Sequence, residues 1–217
     1  MKEQKFMQLV DHYISSGLTA SEIYDDLKTR VDEKTLDFLW KIPRNNINNF
    51  VASCINHLDL RQPFVDLGCG RRSLKPEIYS GFGKDVVFLG IDHFIYFEGT
   101  INKNFLPDIQ ARAENLPIAS SSVGTVFCLE LLEHVKNVQI VLGEIHRILA
   151  RGGYLILSTP GVNFPKHERL PFQTDYRRLN EGEIRRALTE HGFKDIKIRD
   201  AKIGKWQINI FSTSVKA

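Results

Sequence analysis

"FVDLGCGRRS", residues 64–73, is the stretch that decides the fold. An apolar run carries one acid, Asp66, and leads into two glycines one residue apart, Gly68 and Gly70, with Cys69 between them. Arg71, Arg72 and Ser73 follow. A buried strand feeding a glycine turn is the first unit of an open α/β sheet, which binds ligands outside the carboxyl ends of its strands. Glycine lacks a Cβ, so the backbone of this turn can approach a ligand closely. The acid before the glycines sorts the ligands. A pyrophosphate at a helix N-terminus would be repelled by Asp66. A ligand carrying positive charge suits it.

Outward from this loop the rhythm repeats. Short apolar runs occur at Phe64–Leu67, Val86–Ile91, Ile109–Ala113, Thr125–Leu129 and Tyr154–Ser158, separated by helical or loop segments. Continuous apolar strands alternating with helices predict a parallel sheet covered on both faces. Asp92 ends the second run, where an acid can accept both hydroxyls of a ribose. Val138–Leu149 has an apolar helical side formed by Ile140, Leu142, Ile145, Ile148 and Leu149, and Gly152-Gly153 stops it. A loop rich in proline and charge follows Gly161, and Glu181–His191 reads as a helix closed by Gly192. The last two strands, Ile196–Arg199 and Gln207–Val215, are joined by a short link at Gly204. No helical crossover fits so short a link, so this pair is expected to be an antiparallel hairpin.

The first 60 residues read as helices. Phe6, Leu9, Val10, Tyr13 and Ile14 share one face. Thr19 and Glu22 have the spacing of a capping box. Pro43 is expected to break the pattern before a further helix turns Ile47, Phe50, Val51, Cys54, Ile55 and Leu58 inward. The expected organisation is a helical cap over residues 1–60 and a ligand-binding domain over 61–217.

The 217 residues carry a net charge of +3, too mild to argue for nucleic acid. Basic residues outnumber acidic ones between Arg151 and Lys205, a bias that suits a solvated face or an anionic partner. Cys54, Cys69 and Cys128 show neither a disulfide framework nor zinc-site spacing, so no metal is expected and a reduced cytoplasmic setting fits. No stretch approaches the about 20 apolar residues of a membrane span.

Three further segments carry a family resemblance: "ARAENLPIASSSVGTVFCLELLEHV" (111–135), "LGEIHRILARGGYLILSTPG" (142–161) and "LPFQTDYRRLNEGEIRRALTEHGF" (170–193). With "VDLGCG" they resemble class I S-adenosylmethionine-dependent methyltransferases of the type 11-like group over about residues 60 to 195. The segment around Asp175 is similar to members acting on glycans and other small molecules. The resemblance implies a Rossmann-like seven-stranded sheet of order 3-2-1-4-5-7-6, strand 7 antiparallel, with helices on both faces. It implies S-adenosyl-L-methionine as cofactor. Asp66, Gly68, Cys69 and Gly70 would line its methionine end. Asp92 would hold the ribose with His93 alongside, and Ala113 and Glu114 would edge the adenine. Cys128, Leu129 and Glu130 would lie under the methionine and face the acceptor.

Methyl transfer needs alignment and exclusion of water more than a fixed catalytic set. A general base matters when the acceptor is a hydroxyl or a protonated amine. His134, His167 and Asp175 are the candidates for that role. Tyr13, Tyr24 and Trp40 are candidate walls of the acceptor pocket or packing residues, and Trp206 is expected in the core. The chain departs from the family pattern at Arg112 and Gly124, where an Asp is usual, and at Arg72, where a third glycine is common. The expected function is methyl transfer to a small-molecule acceptor, such as a sugar or other anionic metabolite. The alternatives are a silent binding or regulatory module that keeps the fold, a nicotinamide dehydrogenase, and an RNA methyltransferase.

Overall fold

The computed structural model describes residues 3–70, 74–93, 107–166 and 175–217. Seven strands form one sheet in the order β3-β2-β1-β4-β5-β7-β6. They are β1 (Phe64–Leu67), β2 (Phe88–Asp92), β3 (Ile109–Gln110), β4 (Val123–Leu129), β5 (Leu149–Pro160), β6 (Phe193–Ile203) and β7 (Trp206–Lys216). The first five run parallel. β7 is antiparallel to both β5 and β6, as the short Gly204 link requires.

Strand alternation sorts the core into two layers. Val65, Leu67, Val126, Cys128, Leu155 and Leu157 face one side and pack on α5 (Val138–Ile148) and α6 (Glu181–Glu190). Val138, Val141, Leu142, Ile145 and Ile148 form the buried stripe of α5. Phe64, Phe127, Ile156 and Phe211 face the other side. They meet α3 (Glu33–His57), through Ile47, Phe50, Val51 and Cys54, and α4 (Lys75–Phe82), through Ile78. Asp66 alternates onto this second side, so α3 lies over it.

α3 differs from expectation. It runs unbroken through Pro43 as a 25-residue helix. Its inner face continues on both sides of the proline, and burial of that face holds the turn that a lone proline would open. α1 (Glu3–Ser16) and α2 (Ala20–Arg30) precede it, and the Thr19–Glu22 capping box forms as the spacing predicts. Tyr13, Ile23, Leu27 and Leu36 form a small separate core between these helices.

Strand ends also shift. β3 covers only Ile109–Gln110, whereas β5 extends back to Leu149 and carries Gly152-Gly153 inside it. The α5 helix therefore stops at Ile148, and the glycines mark an irregular strand entry instead of a helix end. No helix among the described residues is long and apolar enough to cross a membrane.

Candidate functional site

The carboxyl ends of β1, β2, β4 and β5 gather the residues that the sequence singles out. After β1 the chain turns at Gly68 and Gly70, both in the left-handed region at φ 75° and 54°. Only glycine adopts this without strain. The turn is held from below: Gly68 N–H and Cys69 N–H both donate to the Ile91 carbonyl, at 2.8 and 3.1 Å. Asp92 then accepts the Gly70 N–H through Oδ2 at 2.8 Å. Asp92 thus has a role that the sequence conceals. It joins the β2 tip to the glycine loop while its carboxylate stays at the sheet edge, with His93 Nδ1 3.5 Å from Oδ1.

Asp66 is 3% exposed and accepts the Leu74 N–H at 2.8 Å. Burial lifts its pKa to about 7, against the pull of the Leu74 N–H and of the Arg44 charge. That last influence places Arg44 of α3 within electrostatic reach of Asp66. Arg44 Nε and Asn48 Oδ1, one helical turn apart, are both buried atoms without a hydrogen-bond partner. Sequence reading missed this pair because nothing in a helical pattern distinguishes an inward arginine from a solvated one.

Ala113 is buried against the main core, and Glu114 beside it accepts from Arg112 at 3.2 Å. Arg112 points outward on this pair, so the departure at that position leaves the inner wall to Ala113 and the backbone. The following turn is strapped to α5: Leu116 N–H donates to Glu144, and Arg147 donates to the carbonyls of Leu116 and Ile118. Gly124 has a packing reason. A Cβ there would collide with the Arg61 carbonyl, where residues 61–62 cross the foot of β4. An Asp at this position has no room.

At the tip of β4, Cys128 is fully buried and its thiol is pushed far up by desolvation, so it lines the floor without reacting. Leu129 packs on the α3 side. Glu130 is one of three non-glycine residues with positive φ among the described residues, at 51°. Its N–H donates to the Ser158 carbonyl at 3.0 Å, and its Oε1 accepts from Ser158 Oγ at 2.7 Å and Asn209 Nδ2 at 3.4 Å. Asn209 Oδ1 accepts in turn from Asn46 Nδ2 of α3 at 3.3 Å. Leu131 next lies over the glycine loop, close enough that a Cβ on Gly68 would meet its Cδ1 at 2.9 Å.

A single 3-10 turn, Leu132–His134, follows. His134 and Asp175, proposed separately from sequence, are brought together: His134 Nδ1 lies 3.1 Å from Asp175 Oδ1. Arg178 Nη2 holds the other oxygen of Asp175 at 2.7 Å and also donates to the Pro165 carbonyl at 3.0 Å. His167, the remaining candidate, and Arg71, Arg72 and Ser73 lie outside the described residues, as does the side chain of Trp40. Trp206 is not a core residue. Its Nε1 donates to the Asn163 carbonyl at 3.1 Å, and its ring stacks on Phe164 at 5.6 Å, which ties the β6–β7 hairpin to the loop after β5. Tyr13 is buried in the small helical core and donates to Asp26 at 2.7 Å, so it packs the cap. Tyr24 packs against the same core. Among the described residues no group of His, Cys, Asp and Glu is placed to hold a metal ion.

Comparison with known proteins agrees with this geometry. Residues 65–157 match the family of the methyltransferase domain. A malonyl-[acyl-carrier protein] O-methyltransferase of Alcanivorax borkumensis is 30% identical over 111 residues, 46% of this chain and 36% of that protein. A tRNA U34 carboxymethyltransferase of Stutzerimonas stutzeri is 27% identical over 162 residues, 68% of this chain and 50% of that protein. The chain thus spans half or less of the length of these relatives. The crystal structure of an S-adenosylmethionine-dependent methyltransferase from Archaeoglobus fulgidus superposes with a TM-score of 0.60 at 14% identity, covering 82% of this chain and 99% of that one. Strand order, glycine loop and family match converge: residues 65–157 match the methyltransferase domain, within a sheet of the strand order expected for the class I S-adenosylmethionine-dependent methyltransferase fold.

Proposed function

We propose that the protein transfers a methyl group from S-adenosylmethionine to a small-molecule acceptor. The observation that carries this reading is the glycine loop bound to Asp92. Among the described residues, a Cβ on Gly70 would meet nothing within 4 Å, which suits a loop that faces a ligand beside the β2 tip. The residues present fit the cofactor. Asp92 and the glycine loop suit the ribose and methionine ends, Ala113 suits an adenine edge, and Arg44 suits the methionine carboxylate. When bound, the cofactor supplies an electrophilic methyl group on a sulfonium.

The chain's own residues then align and shield. Leu131 and the buried Cys128 close the floor. Asp66 carries a labile proton beneath the glycines and can adjust its charge to a cationic ligand. The His134–Asp175 pair stands at the acceptor side of β4 and can hold a proton drawn from an acceptor. The loop after β5, fastened by Arg178 and Trp206, walls the other side.

Two of the departures that motivate a silent module have local structural reasons, at Arg112 and Gly124. The buried acid under the glycines continues to argue against a pyrophosphate cofactor. The three buried cysteines suit a reduced, cytoplasmic setting. Titration calorimetry with S-adenosylmethionine and S-adenosylhomocysteine tests the reading. Saturable one-site binding is expected, and no heat at millimolar ligand would sink it.

A further inference from the structure

Two cations stand together at the outer end of the acceptor side. Arg177 Nη2 donates to the Lys136 carbonyl, and this bond lies at the surface. Lys136 is exposed, and its Nζ lies 6.0 Å over the ring of Tyr176, which is itself 46% exposed. Among the described residues neither Lys136 nor Arg177 meets a carboxylate. The acids nearby do not neutralise them. Asp175 is held by Arg178 and His134. Glu133 is buried, and burial raises its pKa well above the carboxylate range, so it offers no counter-charge.

A guanidinium that only straps a loop would use its fork of donors. Among the described residues Arg177 engages only Nη2, on a neutral carbonyl, and its Nε is buried without a hydrogen-bond partner. The segment that presents these groups is braced residue by residue. Asp175 is fixed by its ion pairs, Tyr176 N–H donates to the Glu133 carbonyl at 2.8 Å, and Arg178 Nη1 donates to the Arg177 carbonyl at 3.3 Å. Opposite, Lys136 leads into α5, where Asn137 accepts from the Gln139 and Ile140 N–H groups. The positive end of that helix adds to the two cations. On a solvated face the two side chains would swing apart, but here a hydrogen bond and a ring contact keep them together. Positive charge gathered on a braced frame is prepared for an anion, with little ordering left to do on binding.

We propose that Lys136, Tyr176 and Arg177 form a phosphate-recognition subsite and that the methyl acceptor carries a phosphomonoester that docks there. This rests on the methyl-transfer reading above and narrows its acceptor class. A phosphomonoester dianion matches two positive charges. Its three terminal oxygens can take donors from the guanidinium, the ammonium and the Tyr176 hydroxyl. A carboxylate, with one charge and two oxygens, satisfies fewer of them. Two steps of chain separate Lys136 from His134, at most about 7 Å. A sugar phosphate or a similar small metabolite spans from the subsite to the His134–Asp175 pair. The cluster is compact and not a stripe, which suits a single phosphate group better than a nucleic-acid backbone.

The test uses the full chain saturated with S-adenosylhomocysteine and follows glycerol 1-phosphate, glycerol and acetate by NMR titration. Glycerol 1-phosphate should bind at least about 10-fold more tightly than either of the others, the size expected for charge-assisted hydrogen bonds. Arg177→Gln and Lys136→Gln should each remove most of that preference. Lys197→Gln, which deletes an equal charge at an exposed position of the edge strand β6, should leave it intact. Lys136 is exposed, so its variant keeps the test decisive even where Arg177→Gln disturbs folding. Equal binding of the three probes, a preference unchanged in Lys136→Gln, or an equal loss in Lys197→Gln overturns the proposal. Tighter binding of a single-stranded oligonucleotide than of glycerol 1-phosphate, lost in the same variants, overturns the small-molecule assignment. Failure to bind S-adenosylhomocysteine at all overturns the methyl-transfer reading, and the acceptor assignment with it. Saturable binding of S-adenosylhomocysteine without a phosphate preference overturns only the acceptor assignment.

Discussion

Asp92 Oδ2 accepts the Gly70 N–H at 2.8 Å. A residue expected to serve the cofactor ribose therefore also fixes the loop expected to line the methionine end. Replacement by Ala removes both contributions. Asp92→Ala is expected to weaken S-adenosylhomocysteine binding by at least about 100-fold, the sum of a charged hydrogen bond and the cost of ordering the loop. Calorimetry measures the affinity, and unchanged binding would remove Asp92 from the site. Amide exchange of Gly70 should rise in the same variant without ligand.

Gly124 and Gly70 predict opposite kinds of damage. Gly124→Ala drives a methyl into the Arg61 carbonyl and should destabilise by about 2–4 kcal/mol. Gly70→Ala meets no neighbour among the described residues, so it should cost only about 1 kcal/mol through its left-handed backbone, yet obstruct the ligand side of the loop. Denaturant melts and donor titrations of the two variants separate the effects. Equal stability loss in both would contradict the packing argument.

The proton on Asp66 makes stability depend on pH. Its pKa is near 3.8 in the unfolded chain and about 7 when folded, so between these values the folded state holds a proton that the unfolded state has released. This contribution is complete below about pH 4 and is lost as pH rises through 7. Asp66→Asn should flatten that fall, removing at most about 4 kcal/mol of pH dependence. Chemical denaturation at pH 5, 6, 7 and 8 for both proteins checks the sign. A wild-type slope no steeper than that of the variant would show Asp66 to be ionised in the fold.

Arg178 is 6% exposed at its side chain and shared between Asp175 and the loop carbonyls. Arg178→Ala leaves a buried acid without its guanidinium partner. The expected loss is about 3–5 kcal/mol, with faster proteolysis of the loop after β5. Arg178→Lys should recover only part, because one ammonium cannot span both partners. Full recovery by lysine would mean that charge alone matters there.

Arg44→Ala should weaken donor binding by about 10-fold while leaving the melting curve nearly unchanged, since its Nε has no hydrogen-bond partner to lose within the fold. Titration at low and high salt should show a shallower salt dependence in the variant. A large loss of stability instead would assign Arg44 to packing.

The sheet was legible because its signals are local. Apolar runs such as Phe64–Leu67 are long enough to be buried on two faces, and the Gly204 link is too short for anything but a hairpin. The glycine turn was legible because the motif fixes backbone geometry at Gly68 and Gly70. What stayed hidden depends on side chains meeting across the fold. Pro43 gave a local stop that burial of Ile47, Phe50 and Val51 overrides. Gly124 resembled a lost acid until residues 61–62 were seen crossing it. His134 and Asp175 lie 41 positions apart, and no periodicity links them. Glu133, adjacent to His134 in the sequence, gave no sign of being fully buried, since a charged residue after a strand usually faces water.

α3 is secured at both edges of the sheet. Midway along it Asn46 reaches Asn209 at the carboxyl edge, and just beyond its end Arg61 exchanges hydrogen bonds with Thr125 at the opposite edge. The stretch between these two anchors resists sliding and tilting, so the wall that carries Arg44 and Asn46 keeps its distance from the strand tips. α1 is moored separately, where Lys205 Nζ of the β6–β7 link lies 3.7 Å from Asp11 Oδ2.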